Sequence, residues 1–308
     1  MGRNDENTIV HHGSVTPEEA LPAGESHPAL LVLSGIEAGR SFRLIEGDNV
    51  IGRNEDVAIA LKDDGVSRRH AVIRVLNGRA TLADLGSTNG TRKNGQAVGA
   101  QDEPLVAGDV LLFGPSLAAR FTVQDTVVEN LQRKLFDAAV QDPLTGAYNK
   151  RYLIERFEQE FGFAERHKRP LAILIYDIDH FKQTNDRFGH QMGDRVLCGV
   201  AGYIGGRIRK EDLHARWGGE EFVVLMRETR LDAARILAER LLAGVRALKF
   251  DTPSGPLAIS VSIGLTSSDS QKFESSMELF IRADKMLYRA KELGRDRIVS
   301  DGTPEAGD

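Results

Sequence analysis

The feature that most constrains the fold is an apolar run at residues 171–176, LAILIY, which ends directly in Asp177-Ile178-Asp179. Such a run is typical of a strand buried at the centre of a sheet. Around it, periodicity predicts strands flanking a turn near residue 218 and at 257–266, and helices at 150–166, 194–209, 231–248 and 276–293. The order β-α-β-β-α-β with flanking helices predicts a ferredoxin-like or palm-like α+β domain.

The turn at residues 218–221, GGEE, lies between two runs that predict strands. A glycine pair in this position favours a hairpin, because glycine adopts positive φ at no steric cost. Two adjacent acids beside accessible backbone suit a divalent metal and a phosphate ester. Taken alone, the motif is more typical of a solvated hairpin tip than of a binding site.

Strand alternation puts Asp177 and Asp179 on one face of the strand end. In a palm-like sheet this strand lies beside the hairpin strand, so Asp177 and Glu220 would form a carboxylate pair able to hold Mg²⁺. Two acids with nothing basic between them are costly unless a cation sits there. A metal so held serves phosphoryl transfer by neutralising developing charge.

A polar, glycine-punctuated segment follows at residues 180–194. Within it, Asn185 and Asp194 supply an amide and a carboxylate that suit the Watson–Crick edge of guanine. We also place Asp194 near a helix start, where Asp is a favoured cap.

Residues 29–123 have a different texture, with short apolar runs separated by Gly, Asn and Asp turns that predict an all-β sandwich. Its polar loop segments are GR at 52–53, SRRH at 67–70 and GSTNGT at 86–91. Hydroxyls, arginines and an asparagine gathered on loops suit recognition of a phosphate and a peptide backbone.

With LVAGD at 105–109, these segments resemble the forkhead-associated (FHA) domain, a phosphothreonine-binding β-sandwich. The resemblance implies a site in which Arg53 and Ser67 bind the phosphate, Arg68 and Thr88 assist, and Asn89 holds the peptide backbone. It also implies that His70 braces the loop. The phosphothreonine lies either on a partner protein or on Thr8 or Thr16 of the chain's own tail, where high effective concentration favours binding.

Residues 125–141 change to a helical period, with apolar side chains at 128, 131, 135 and 138. This spacing predicts an amphipathic helix or a short two-stranded coiled coil. The segment is too short to be a stable isolated helix. We expect a connector that dimerises or docks, and the alternative is a packed surface helix of the second domain.

The second region carries ordered motifs: DPLTGAYN at 142–149, DIDHFK at 177–182, ND at 185–186, GH at 189–190, GD at 193–194, GGEEF at 218–222, SVSIG at 260–264, ADK at 283–285 and KELGR at 291–295. Together they resemble the GGDEF-family diguanylate cyclases. That family joins two GTP molecules into cyclic di-GMP and releases two pyrophosphates. Two subunits face each other to complete the active site, so the resemblance implies a homodimer.

The resemblance also implies roles for residues. Two Mg²⁺ or Mn²⁺ ions per active site would be held by Asp177, the backbone carbonyl of Ile178 and Glu220, with Glu221 close by. Glu220 deprotonates or orients the attacking 3′-hydroxyl. The remaining contacts are to nucleotide and phosphates: Asn185, His190 and Asp194 on the nucleotide, and Lys182, Lys291 and Arg295 on the phosphates, where they stabilise the transition state. Because Glu220 retains an acid at the third motif position, we expect an active enzyme; the alternative is an inactive phosphopeptide-binding scaffold or cyclic di-GMP effector.

Upstream of the hairpin, Arg209 and Asp212 form an RxxD sequence. In the family this spacing marks an inhibitory site for the cyclic di-GMP product, which Arg240 on the next helix would complete. The alternative is a solvated helix end with an Arg–Asp pair.

These assignments predict a multidomain chain. The expected parts are a disordered tail at 1–27, an FHA domain at 28–124, a linker helix at 125–141, a GGDEF domain at 142–300 and a tail at 301–308. Cys198 is the single cysteine among 308 residues, which fits a reducing compartment. No apolar run approaches the roughly 18 residues that span a bilayer, and a net charge of −5 gives no general argument for nucleic-acid binding. We expect a cytoplasmic protein without membrane or nucleic-acid partners.

Overall fold

The structure, a computed structural model, describes residues 26–35, 37–54 and 56–302. These described residues divide into two compact units, one within residues 26–32 and 41–132 and the other within residues 33–40 and 133–302. Thr8, Thr16 and most of the two predicted tails lie outside the described residues.

The first unit is built from β-strands. They are β1 (His27–Val32), β2 (Ser41–Arg43), β3 (Gly47–Gly52), β4 (Ile59–Ala60), β5 (Ala71–Leu76), β6 (Arg79–Asp84), β7 (Thr91–Lys93), β8 (Gln96–Val98), β9 (Glu103–Leu105), β10 (Val110–Phe113) and β11 (Leu117–Gln124). The two sheets have the orders β2-β1-β11-β10-β7-β8 and β4-β3-β5-β6-β9, and their inward side chains share one core. The predicted β-rich organisation is confirmed. Strands β4, β7, β8 and β9 have only two or three residues each, which is too few for an alternating pattern to be recognised in the sequence.

The helix predicted at residues 125–141 is present as α1 (Thr126–Val140). Its C-terminal residue, Val140, is buried in a core of the second unit. The apolar stripe remains uncovered, since Val128, Leu131 and Leu135 are 40%, 56% and 63% exposed. Over the described ranges, none of the helices combines the length and the apolar character needed to cross a membrane.

The second unit contains α2 (Lys150–His167), β12 (Leu171–Ile178), α3 (Phe181–Phe188), α4 (His190–Gly205), β13 (Leu213–Gly218), β14 (Glu221–Arg227), α5 (Leu231–Ala247), β15 (Lys249–Thr252), β16 (Gly255–Ala258), β17 (Val261–Ser267), α6 (Ser276–Glu292) and β18 (Ile298–Ser300). The main sheet has the order β13-β14-β12-β17-β18. Strand β12 is central and buried along its whole length, with alternate side chains entering two different hydrophobic cores. The predicted central strand and α+β order are therefore confirmed.

The segment predicted as irregular between β12 and the next helix contains α3, and the following helix begins at His190 rather than near residue 194. Gly189 is its N-cap residue, with φ 82°. Asp194 therefore lies in the second helical turn, and the prediction that it caps the helix is wrong. Phe181 and Thr184 bury one face of α3, and this short amphipathic face was obscured by the polar residues around it.

The strand predicted at residues 257–266 is confirmed over 261–266 as part of β17, but residues 257 and 258 belong to a different element, β16. Strands β15 and β16 make a small separate hairpin whose turn, at residues 253–254, is followed by Gly255 with φ 107°. Strand β17 begins only at Val261 and joins the main sheet beside β12. The interruption falls at Ser260, whose backbone carbonyl accepts a hydrogen bond from the Asp179 amide at 3.0 Å.

Candidate active site

The topology of the second unit gathers several chain ends at one edge of its main sheet. Strands β14 and β17 both run antiparallel to β12, so their first residues lie beside its last ones. Asp177 is the register partner of Glu221 on one side, and Ile178 is the partner of Val261 on the other. The Ile178 amide donates to the carbonyl of Glu220 at 3.3 Å. The C-terminal end of β12 and the GGEE turn therefore form one continuous edge.

The GGEE turn is a hairpin, as predicted, with Gly219 at φ 53° and a β-bulge between Arg216 and Gly218. Arg216 braces it, because Nε and Nη2 donate to the carbonyl of Gly219 at 3.0 and 2.7 Å. The same guanidinium binds Asp142 through Nη1 at 3.1 Å. Burial raises the pKa of Asp142, but hydrogen bonds from Thr145 and the Arg216 charge outweigh it and leave the pKa below its ordinary value. Sequence analysis assigned no role to Arg216, since a pair 74 residues apart leaves no periodic signal.

Two acids flank one cation at this edge. The Nζ of Lys291, at the end of α6, lies 2.9 Å from Asp177 Oδ2 and 3.9 Å from Glu221 Oε1. Lys291 therefore supplies a positive charge beside Asp177, which the predicted site paired with Glu220. Burial raises the pKa of Asp177 to about 6, with the Lys291 ammonium opposing and Glu220 and Glu221 adding to the rise.

Across residues 26–35, 37–54 and 56–302, no three His, Cys, Asp or Glu side chains are grouped as a ready metal site. The donor chemistry at the edge nevertheless suits a hard divalent cation, because carboxylates and a backbone carbonyl supply only oxygen. The charges of Glu220 and Glu221 add to the rise in the pKa of Asp177 that burial causes, and a bound cation would relieve that repulsion. Asp177, Ile178 and Glu220 are the residues that would hold it.

The predicted nucleotide-binding residues lie on α3 and α4, which follow β12. Lys182 is exposed in the first turn of α3, and His190 and Asp194 are exposed on α4. Asn185 is half-buried, and within the described part of the chain its Oδ1 is a buried oxygen with no hydrogen-bond donor. That oxygen lies over Gly193, where a Cβ atom would come within 1.9 Å of it. A side chain at 193 would therefore displace the Asn185 amide from this position. The amide oxygen is suited to an N–H from a ligand.

Arg209 and Asp212 lie in the connection between α4 and β13. Asp212 Oδ2 accepts the Arg209 amide proton at 3.0 Å, and the Asp212 amide donates to the Arg209 carbonyl at 3.2 Å. Burial raises the pKa of Asp212, with Arg209 opposing. Asp212 is thus a buried carboxylate that closes a turn, while Arg209 is exposed, as is Arg240 on α5.

In the first unit, three of the predicted loop residues lie together. Ser67 Oγ is 3.4 Å from Thr88 Oγ1 and accepts the Thr88 amide proton at 3.0 Å. Asn89 Nδ2 donates to the carbonyl of Gly65 at 2.9 Å. Arg53 donates its backbone amide to the Ser67 carbonyl at 2.9 Å, which brings a fourth residue to the cluster.

His70 and Arg68 support these loops differently. His70 is buried, and its Nδ1 accepts the Ser67 amide proton at 3.0 Å while Nε2 lies 3.1 Å from the Gly90 carbonyl. Burial lowers the pKa of His70, with the Gly90 hydrogen bond opposing. The side chain of Arg68 is exposed, and its backbone passes so close to Gly52 that a Cβ there would meet the Arg68 carbonyl at 2.1 Å.

The fold and the site define the second unit as a palm-like α+β domain whose sheet edge carries a glycine hairpin and clustered carboxylates. A family model described as "Diguanylate cyclase, GGDEF domain" matches residues 139–297. The chain belongs to the GGDEF diguanylate cyclase family. A second family model, described as "Inner membrane component of T3SS, cytoplasmic domain", matches residues 31–123.

Among known proteins, the chain is 48% identical over 160 residues to diguanylate cyclase DgcP of Pseudomonas aeruginosa, covering 52% of this chain and 24% of that protein. It is 37% identical over 198 residues to diguanylate cyclase DgcM of Escherichia coli K12, covering 63% and 46%. The matched region is thus less than half of either relative. The GGDEF domain of DgcB from Caulobacter crescentus, solved with c-di-GMP, is 30% identical with a TM-score of 0.51, covering 54% of this chain and 97% of that domain.

Proposed function

We propose that this protein is a cytoplasmic diguanylate cyclase, which joins two GTP molecules into cyclic di-GMP and releases two pyrophosphates. The observation that carries the proposal is the edge where Asp177, Glu221 and Lys291 meet beside the GGEE hairpin of a GGDEF-family domain. In each of two steps, a 3′-hydroxyl oxygen bonds to the α-phosphorus of the other nucleotide. The bond from that phosphorus to the bridging oxygen breaks, and pyrophosphate leaves with it.

The acids and cations of the edge have separate tasks in this reaction. Asp177, Ile178 and Glu220, with Glu221 beside them, would hold Mg²⁺ or Mn²⁺, which supplies charge neutralisation at the phosphates when bound. Glu220 orients the 3′-hydroxyl and accepts its proton. Lys182, Lys291 and Arg295 offset the negative charge that develops on the transferred phosphate.

Guanine recognition is assigned to Asn185 and Asp194, with His190 beside the nucleotide. The unpartnered buried oxygen of Asn185 supports this assignment, since it needs an N–H donor from a ligand. A carboxylate at Asp194 would accept from the guanine N1 and N2 groups.

We further propose that two copies of the chain face each other for catalysis. The support is the exposed stripe of Val128, Leu131 and Leu135 on α1, which has the spacing of a coiled-coil seam. Burying it against a second α1 would remove apolar surface from water and set the distance between the two active sites.

Two regulatory sites complete the proposal. Arg209, Asp212 and Arg240 would bind the cyclic di-GMP product, and the exposed guanidinium of Arg209 beside a fixed turn supports a phosphate contact. The clustered hydroxyls of Ser67 and Thr88 support phosphothreonine binding, together with Arg53, Arg68 and Asn89. The phosphothreonine would come from a partner protein or from this chain's Thr8 or Thr16.

Incubating the full chain with GTP and Mg²⁺, followed by chromatography for cyclic di-GMP, tests the activity. The wild type should form product and Glu220→Ala should form none, because both the metal ligand and the proton acceptor are lost. Glu239→Ala is the matched control, since Glu239 is an exposed acid on α5 that pairs with Arg235 and should leave turnover unchanged. A wild type that binds GTP without forming product would instead favour the inactive scaffold.

A further inference from the structure

The second acid of the DIDHFK motif has no part in the proposed metal site. Asp179 is only 4% exposed. Its Oδ1 accepts the Ser262 hydroxyl proton at 2.7 Å, and its Oδ2 accepts the Ser260 hydroxyl proton at 2.7 Å and the Asp296 amide proton at 3.1 Å. These three donors satisfy the buried carboxylate of Asp179. They direct it away from the residues that contact Asp177.

The loop that Asp179 reaches has an unusual backbone. Gly294, Arg295 and Asp296 follow one another with φ of 103°, 62° and 49°. A left-handed conformation is unfavourable for a non-glycine residue, because it brings Cβ too close to the following carbonyl oxygen. Two such residues in succession require compensation, and the charge-assisted hydrogen bond from the Asp296 amide to Asp179 supplies part of it. This loop leads from α6, which ends beside Lys291, to β18.

Arg295 lies in this strained loop, at the same sheet edge as Asp177. Its amide donates to the Ala290 carbonyl at 3.0 Å, so the residue is fixed to α6 on one side and, through Asp296, to Asp179 on the other. Asp179 lies two residues after Asp177 on the same chain segment. One strand end therefore sets both a metal-ligating acid and the loop that carries a phosphate-binding guanidinium.

We propose that Asp179, with Ser260 and Ser262, is a positioning residue that fixes Arg295 for the phosphates of GTP. The proposal rests on the proposed function, in which Arg295 contacts those phosphates. Asp179 itself touches neither substrate nor metal. Its role is to keep the left-handed loop formed before the nucleotide arrives, so that binding does not have to order it.

The test uses the double variant Ser260→Ala/Ser262→Ala in the full chain, which keeps Asp179 but removes two of its three donors. The matched control is Ser267→Ala. Ser267 is as buried as Ser262 and lies at the opposite end of β17, with its hydroxyl 3.3 Å from the Leu171 carbonyl. Both variants should lower the unfolding midpoint. Only the double variant should lower kcat/KM for cyclic di-GMP formation, by about tenfold, the equivalent of about 1.4 kcal/mol.

A double-mutant cycle that combines the serine substitutions with Arg295→Ala separates an effect on the position of Arg295 from an effect on general stability. In the Arg295→Ala background the serine substitutions should have no further effect on kcat/KM, because the group they position is gone. The same cycle is repeated in a Glu220→Gln background with GTP affinity as the measured quantity, so that the result does not depend on turnover. The proposal is overturned if the serine substitutions lower kcat/KM equally in the presence and absence of Arg295. It is also overturned if Ser267→Ala lowers kcat/KM as much as the double variant does.

The two failures are distinguishable. If the wild type forms no cyclic di-GMP, the proposed function fails, while the binding cycle still decides the role of Asp179. If Arg295→Ala changes neither turnover nor GTP affinity, both the phosphate role of Arg295 and this inference are wrong. Amide hydrogen exchange at Asp296 adds a direct reading, since its protection should fall in the double serine variant and stay unchanged in Ser267→Ala.

Discussion

Replacing Asp177 by Asn should stabilise the second unit while abolishing cyclic di-GMP formation. The carboxyl of Asp177 has its pKa raised to about 6 from an ordinary 3.8, mainly by burial. Because the folded state holds this proton more tightly than the unfolded state, ionisation at neutral pH works against folding. Asparagine has nearly the same shape and never ionises, so it escapes this penalty.

The magnitude follows from the pKa difference. At about 1.4 kcal/mol per pKa unit, the rise from 3.8 to about 6 corresponds to a gain of about 3 kcal/mol for Asp177→Asn above pH 7. Below pH 3.8 the folded and unfolded states both hold the proton, so the gain in unfolding free energy vanishes. The gain grows as the pH rises towards 6, because the unfolded state then releases the proton before the folded state does. At pH 5 about half of the gain should be present.

The assay is urea unfolding of the full chain without divalent metal, followed by fluorescence of Trp217, the single tryptophan. Trp217 packs on Phe280 at a ring distance of 4.5 Å, so its emission reports the second unit. Asp179→Asn is the matched comparison two residues away and should destabilise by about 1–3 kcal/mol, because its carboxylate is fully hydrogen-bonded. A destabilised Asp177→Asn at pH 7.5, or a gain that does not shrink at pH 5, would refute the reasoning.

Three further outcomes are expected. Arg209→Ala should retain initial turnover but lose the slowing that accumulated cyclic di-GMP causes; product inhibition that persists would remove the site assignment. Ser67→Ala should bind synthetic peptides of residues 1–25 phosphorylated at Thr8 or Thr16 at least tenfold more weakly than the wild type does, as measured by calorimetry. If the ligand lies on another protein, the wild type should bind neither peptide. Tyr176→Phe should lower the unfolding free energy by about 1–3 kcal/mol, because it deprives buried His214 of a hydroxyl at 2.8 Å; an unchanged urea midpoint would contradict this.

Patterns with strong local signals could be predicted from sequence. The apolar run of β12, the glycine hairpin and the helical period of α1 each depend on neighbouring residues, and each was confirmed. The bracing of the hairpin by Arg216 and Asp142 depends on residues far apart in sequence and was invisible to periodicity. The burial of Asp179 by two serines and an amide was likewise missed, since the motif suggests a pair of equivalent acids and only the sheet shows that they have different neighbours.

Near the sheet edge that carries Asp177 and the GGEE hairpin, the rings of His214, Phe222 and Tyr176 stack across three neighbouring strands. The interplanar angle is 22° between Tyr176 and His214, 26° between His214 and Phe222, and 4° between Tyr176 and Phe222. Burial lowers the pKa of His214 to about 4, so the stack stays uncharged and dry at physiological pH. Such a stack resists shear between β12, β13 and β14. At the proposed nucleotide site, we therefore expect the sheet to stay rigid when a nucleotide binds, and any conformational adjustment to occur in α3 and α4.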